Sequence, residues 1–143
     1  MSSASLQTPH ADPLLNLARQ SREAAYAPYS RFRVGAAVLT HDGRMFGGCN
    51  VENAAYGLCN CAERTALFSA VAAGYGPGQF QRMTVIGDTP EPISPCGACR
   101  QVMSELCDTD MPVLLSNLKG LTQHTSVGAL LPGSFSLPER DLA

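Results

Sequence analysis

Charge is scarce in this chain. Only 15% of its 143 residues are charged, against 45% hydrophobic, a balance that argues against extensive disorder. The ten basic residues are scattered, with nothing denser than Arg31-Phe32-Arg33, and the formal net charge is −2. A polynucleotide binder neutralises phosphates with a basic stripe. None is present, which favours a small neutral substrate over DNA or RNA. No apolar run approaches the roughly 18 residues that cross a bilayer. No charged segment followed by an apolar one opens the chain, so no secretory signal is expected. Internal repeats, linkers and a second domain are also absent, and the length suits one domain with a core of its own. The low charge, together with 13 glycines, suits a surface partly covered by other copies of the chain.

Cysteine is what the chain does have: Cys49, Cys59, Cys61, Cys96, Cys99 and Cys107. Without a secretory signal the expected compartment is the reducing cytoplasm, where Cys-x-x-Cys reads as metal or redox chemistry rather than as a disulfide framework. Cys49, Cys59 and Cys107 are expected as buried thiols, since free cysteine packs like a small hydrophobe. His10, His41 and His124 fall in a tail, a hairpin turn and an edge segment, and are expected to face solvent rather than a metal.

Read in order, residues 1–11 lack periodicity and are expected to form a flexible tail ahead of a single domain over 12–143. Asp12-Pro13 supplies an N-cap and a first-turn proline. Leu14, Leu17, Ala18, Ser21 and Ala25 follow at helical spacing, and Pro28 is expected to end that helix. Residues 32–39 and 44–50 predict a hairpin across His41-Asp42-Gly43. Gly47-Gly48 suggests a bend or a close backbone approach. A loop then leads to a helix over 61–73, with Leu67, Ala70 and Val71 facing the core and Gly74 ending it. Next come a buried strand over 83–87, an ordered proline-rich loop, a helix through Leu106, strands over 112–117 and 121–125, and a short helix over 127–131. The order ββαβαββα after the first helix predicts an α/β fold, a mixed five-stranded sheet with helices on its faces.

Two stretches carry chemistry: Cys61-Ala62-Glu63-Arg64 and Pro95-Cys96-Gly97-Ala98-Cys99. Both open helices, where free N–H groups and the helix dipole stabilise thiolates. Cys96 and Cys99, three apart, share a helix face. Three thiolates fill three of zinc's four tetrahedral positions and leave one for water, the arrangement of a catalytic site. Glu63, two residues from a ligand, is placed to move that water's proton. Arg64 is expected to donate to the ligand sulfurs and withdraw negative charge from them, or else to be a surface arginine on an amphipathic helix. The pattern Cys-x-Glu followed by Pro-Cys-x-x-Cys matches that of zinc deaminases. The competing reading is a closed structural site with Cys59 as fourth ligand, in which Glu63 is an ordinary acid of a first turn.

From Tyr26-Ala27-Pro28-Tyr29-Ser30-Arg31-Phe32 to Leu130-Leu131-Pro132-Gly133-Ser134-Phe135 the chain resembles the small, homotetrameric, zinc-dependent cytidine deaminases. The resemblance is most specific in Cys49-Asn50-Val51-Glu52-Asn53-Ala54-Ala55-Tyr56 and in the two cysteine stretches. It implies a three-layer α/β/α fold and hydrolytic deamination of cytidine and deoxycytidine in pyrimidine salvage. It further implies one zinc ion per chain on Cys61, Cys96 and Cys99, with Glu63 as proton shuttle. Asn50 and Glu52 would hold the ribose, Phe32 would stack on the base, and the Ala62 backbone N–H would help to hold it. Ala54 to Tyr56 and Phe135 would reach a neighbouring subunit's pocket in a homotetramer. A relative acting on another aminated base, a non-catalytic zinc module and a nucleic-acid editor are the competing functions.

Overall fold

The computed structural model describes Ser5, Leu6 and residues 12–138. Helix α1 (Pro13–Arg22) begins where its cap signals place it, with Asp12 in extended conformation and its Oδ1 accepting from the Leu14 N–H at 2.9 Å. Arg82 reaches across from the sheet and donates to both Asp12 oxygens at 3.1 and 3.2 Å. Against the opposing effect of burial, Arg82 keeps that carboxyl below its ordinary value. The helix ends five residues earlier than Pro28 requires. The N–H groups of Glu23, Ala24 and Ala25 bond three residues back, a tightened last turn. Tyr26 is then drawn into a bridge with Val51, its N–H on Asn50 O and its carbonyl accepting from Glu52 N. Tertiary pairing, not proline, ends this helix.

Strands β2 (Val34–Thr40) and β3 (Met45–Cys49) form the expected antiparallel hairpin, and β4 (Phe80–Gly87) flanks β2 on its other side. β4 starts three residues before its expected beginning, because Phe80 pairs with Thr40 across a register shift. β5 (Pro112–Asn117) runs parallel to β4, and β6 (Leu121–Ser126) antiparallel to β5. The mixed five-stranded sheet is therefore present. A two-residue strand β1 (Ser5–Leu6) extends it by pairing with Leu121 and Thr122, giving the order β1-β6-β5-β4-β2-β3.

Strand alternation sorts the layers. Ala37 of β2 and Ile86 of β4 pack on Leu14, Leu15 and Ala18 of α1. Ala36 and Val38, with Met83 and Val85, face the opposite side, where α2 (Ala62–Ala72), α3 (Gly97–Leu106) and the short α4 (Val127–Leu130) lie. Helices thus cover both faces of the sheet. In α2 the buried stripe is Ala62, Ala66, Leu67 and Ala70, while Val71, expected inward, is exposed. The small stripe lets α2 lie directly on β3. A Cβ at Gly48 would stand 2.4 Å from Ala66 N and 2.6 Å from Ala62 O, so the double glycine marks a close approach.

Buried Asn117 fixes the proline-rich loop between β4 and α3. Its Nδ2 donates to Thr89 O and Pro90 O at 2.9 and 3.1 Å, and its Oδ1 accepts from Lys119 N and Leu121 N at 3.0 Å each. All four bonding positions of the amide are used. The loop that delivers Cys96 is thereby held to the sheet.

Candidate metal centre and adjoining pocket

Two helix starts converge. Cys61 is the N-cap of α2 and Cys96 the N-cap of α3, where its sulfur accepts from the Cys99 N–H. Cys99 follows one turn later. The three sulfurs lie within 4.8 Å of one another, and Cys61 Sγ and Cys96 Sγ stand 3.7 Å apart. Tetrahedral bonds of about 2.3 Å place sulfur ligands ~3.8 Å apart, so these residues fit zinc. Among the described residues no fourth cysteine, histidine or acid joins the cluster. Cys59 turns elsewhere, its sulfur accepting from the Asn53 N–H at 3.3 Å.

The electrostatics also ask for a cation. A hydrogen bond from Cys99, followed by contacts from Arg64 and Cys96, lowers the Cys61 thiol to about 5. The Cys61 thiolate and burial then push the Cys99 thiol upward. One thiolate forms readily and further ionisation is resisted, as three like charges this close require. A dication removes that conflict. Arg64 Nη2 donates to Cys61 Sγ at 3.3 Å, the expected sulfur contact.

Glu63 sits in the first turn of α2, only 4% exposed. Burial first, then the charge on Cys61, raises its carboxyl to about 7. A buried carboxyl poised near neutrality can accept and release protons.

These groups border a cavity of about 180 Å³. Cys61, Ala62, Glu63 and Cys96 line it together with Phe32 and Asn50. Val34, Ile93 and Ser94 complete it. Sequence reasoning missed these three: an apolar residue at a strand start or in a proline-rich loop, like Val34 and Ile93, carries no signal beyond packing, and a lone serine in such a loop, like Ser94, reads as turn chemistry. Phe32 is 40% exposed and lies just before β2 rather than inside it. Asn50 holds it there: Nδ2 donates to Phe32 O at 2.7 Å and Oδ1 accepts from Val34 N at 2.8 Å. Glu52 is not a pocket wall. Its Oε1 accepts from the Tyr29 and Ser30 N–H groups at 3.0 and 3.1 Å, and its Oε2 from the Ser30 hydroxyl. These bonds, the hydroxyl's first, hold its carboxyl below the ordinary value.

The remaining expected site residues stand apart from the pocket within one chain. Ala54 and Tyr56 are exposed, Tyr56 at 90%, and so is Phe135 at 69%. Of the other cysteines, Cys107 is buried, its thiol pushed up to about 12 by burial and Asp108, while Cys49 and Cys59 are only half-buried. His41 and His124 are exposed, as expected, and His10 lies outside the described residues.

Residues 9–115 match the family model for the cytidine and deoxycytidylate deaminase zinc-binding region. The chain is 53% identical over 125 residues to a cytidine deaminase of Sporosarcina psychrophila, covering 87% of this chain and 90% of that one. A crystal structure of cytidine deaminase from Burkholderia pseudomallei superposes with a TM-score of 0.85 at 60% identity, covering 90% of this chain and all of that one. The cytidine deaminase structure from Mycobacterium tuberculosis superposes with a TM-score of 0.71 at 38% identity, covering 85% and 94% of the two chains.

Proposed function

The chain belongs to the cytidine and deoxycytidylate deaminase family, and from that premise we infer that it is a zinc-dependent deaminase converting cytidine and deoxycytidine to uridine and deoxyuridine. Ammonia is the second product, and the reaction serves pyrimidine salvage. The observation that carries this reading is three sulfurs at zinc-ligand spacing beside the buried carboxyl of Glu63.

Cys61, Cys96 and Cys99 would hold one zinc ion per chain, which when bound polarises water and lowers its pKa to about 7. Glu63 does the proton work. It takes a proton from the water, delivers one to N3 of the pyrimidine, and passes the next to the departing amine. The water oxygen bonds to C4, the C4–N4 bond breaks, and a carbonyl remains where the amine was. A cavity of about 180 Å³ suits a single ring, so the sugar extends outward past Asn50 towards Glu52. Phe32 supplies an aromatic face for the base. The Ala62 N–H, first in α2 and free of an intrahelical partner, would help to hold the base.

The same reading assigns residues 12–143 to one catalytic domain and makes the active species a homotetramer. Tyr56, Leu58, Phe135 and Leu137 are large apolar side chains left exposed in the single chain, the kind of surface that copies of a chain cover. In that assembly the Ala54–Tyr56 loop and Phe135 complete a neighbour's pocket. No described helix is long and apolar enough to cross a membrane. Six free cysteines, three gathered for a metal, suit the reducing cytoplasm.

The test follows cytidine loss by ultraviolet absorbance on protein with zinc quantified per chain, beside Glu63→Gln. The expected result is conversion to uridine, about one zinc per chain in both proteins, and a loss of turnover of about 10²- to 10⁴-fold in the variant. Near-normal turnover in zinc-loaded Glu63→Gln would remove the proton shuttle.

A further inference from the structure

The loop that carries Phe32, held at its strand end by Asn50, has one hydroxyl at its centre that bonds in two directions. Ser30 Oγ donates to Glu52 Oε2 and accepts from the Phe32 N–H at 3.0 Å. One donor hydrogen and one lone pair are thus both committed, and the direction of the chain of bonds is fixed. Between Ser30 and Phe32 in the chain sits Arg31, with φ of +58°, in the left-handed region. A non-glycine residue persists there only when its surroundings over-determine it. Here the surroundings are Arg31 N on Ala27 O at 2.9 Å, the Ser30 hydroxyl on Phe32, and the Glu52 carboxylate on two successive N–H groups.

On the reading above, Glu52 meets the sugar and Phe32 the base, and we propose that Ser30 is the positioning residue that couples them. Its hydroxyl sets the carboxylate and the aromatic wall in one register, so that base and sugar are recognised as a unit. A carboxylate has about four acceptor sites. Three on Glu52 are taken by Tyr29 and Ser30, and the one left over fits one sugar hydroxyl. Removing the Ser30 hydroxyl leaves the Phe32 N–H without its side-chain acceptor and frees Glu52 to turn. Neither the cysteine cluster nor Glu63 is touched, so the loss belongs to binding.

The experiment compares kcat and KM for cytidine in the zinc-loaded wild type, Ser30→Ala, Ser30→Thr, Glu52→Gln and the Ser30→Ala/Glu52→Gln double variant. Zinc content and thermal unfolding are read on the same samples. Ser30→Ala is expected to raise KM about tenfold with kcat within about twofold, the scale of one hydrogen bond to a charged group. Ser30→Thr, which keeps the hydroxyl, restores KM. The double variant loses less than the product of the two single losses, the non-additivity of groups that act through each other. An unchanged KM in Ser30→Ala, or losses that multiply in the double variant, overturns the coupling while leaving the assigned reaction standing. A zinc-loaded wild type that does not consume cytidine overturns the assigned reaction and the coupling with it. Should Ser30→Ala not fold, Ser30→Cys, similar in volume but a weak donor, is judged by the same criteria.

Discussion

Arg64 Nη2 and Cys61 Sγ, 3.3 Å apart, perturb each other: the thiolate raises the affinity of the guanidinium for its proton, and the guanidinium helps to lower that of the thiol. A cationic donor on a metal-binding sulfur withdraws charge from the site without occupying it. Arg64→Gln is therefore expected to lower zinc affinity or turnover about 10- to 100-fold, measured by zinc retention against a competing chelator and by cytidine turnover. Sequence spacing revealed Cys61, Glu63, Arg64, Cys96 and Cys99: separations of three put Cys61 with Arg64 and Cys96 with Cys99 on one helix face, and Glu63 follows a ligand by two residues at a helix start. Ser30, Val34 and Ile93 were not visible that way. Val34 opens a strand and Ile93 sits in a loop, where apolar residues signal only packing, and Ser30 meets a carboxylate 22 residues away. Asn50 and Glu52, ordinary loop residues by pattern alone, were reached only through the family resemblance. Their bonds to the Phe32 loop were not legible.

At the scale of elements, α2 owes its place to what β3 lacks. Gly48 meets Ala62 and Ala66 with no room for a methyl group, so the position of Cys61 and Glu63 depends on a missing Cβ one strand away. Gly48→Ala is expected to destabilise the protein by about 1–3 kcal/mol and to reduce zinc content and turnover together. Gly76→Ala, whose Cβ would meet only Gln79 Oε1 at 4.0 Å, serves as the control with both unchanged. Thermal unfolding and metal analysis check the pair. The Gly47-Gly48 doublet pointed to this approach in the sequence. The early end of α1 and the early start of β4 did not show, since both are set by pairing to distant chain, Tyr26 with Val51 and Phe80 with Thr40. Local propensity has no access to such partners.

For the whole molecule, the proposed shared pocket separates two groups of residues: Glu63 faces the cavity of its own chain, while Phe135 is 69% exposed and outside it. Glu63→Gln and Phe135→Ala are each expected to lose activity. Random assembly of the two together should return about a quarter of the sites to full composition, since each needs an intact residue from each kind of subunit. Activity recovered on unfolding and co-refolding the mixture, with a mass of about four chains by light scattering, checks this; no recovery would place both residues in one chain's site. A mixed five-stranded sheet with helices on its faces was inferable from element order, and the meeting of two helix starts from the cysteine pattern; the order of the strands was not. The partners of Tyr56 and Phe135 were not, because composition does not encode symmetry. The two helix starts have one more consequence. Cys61 and Cys96 are 35 residues apart, with all of α2 and all of β4 between them. On the ribosome, a nascent chain presents its first sulfur long before the other two exist. The ligand set is complete only once the chain has been made through Cys99, so a bound ion reports that the starts of α2 and α3 have both been made and docked.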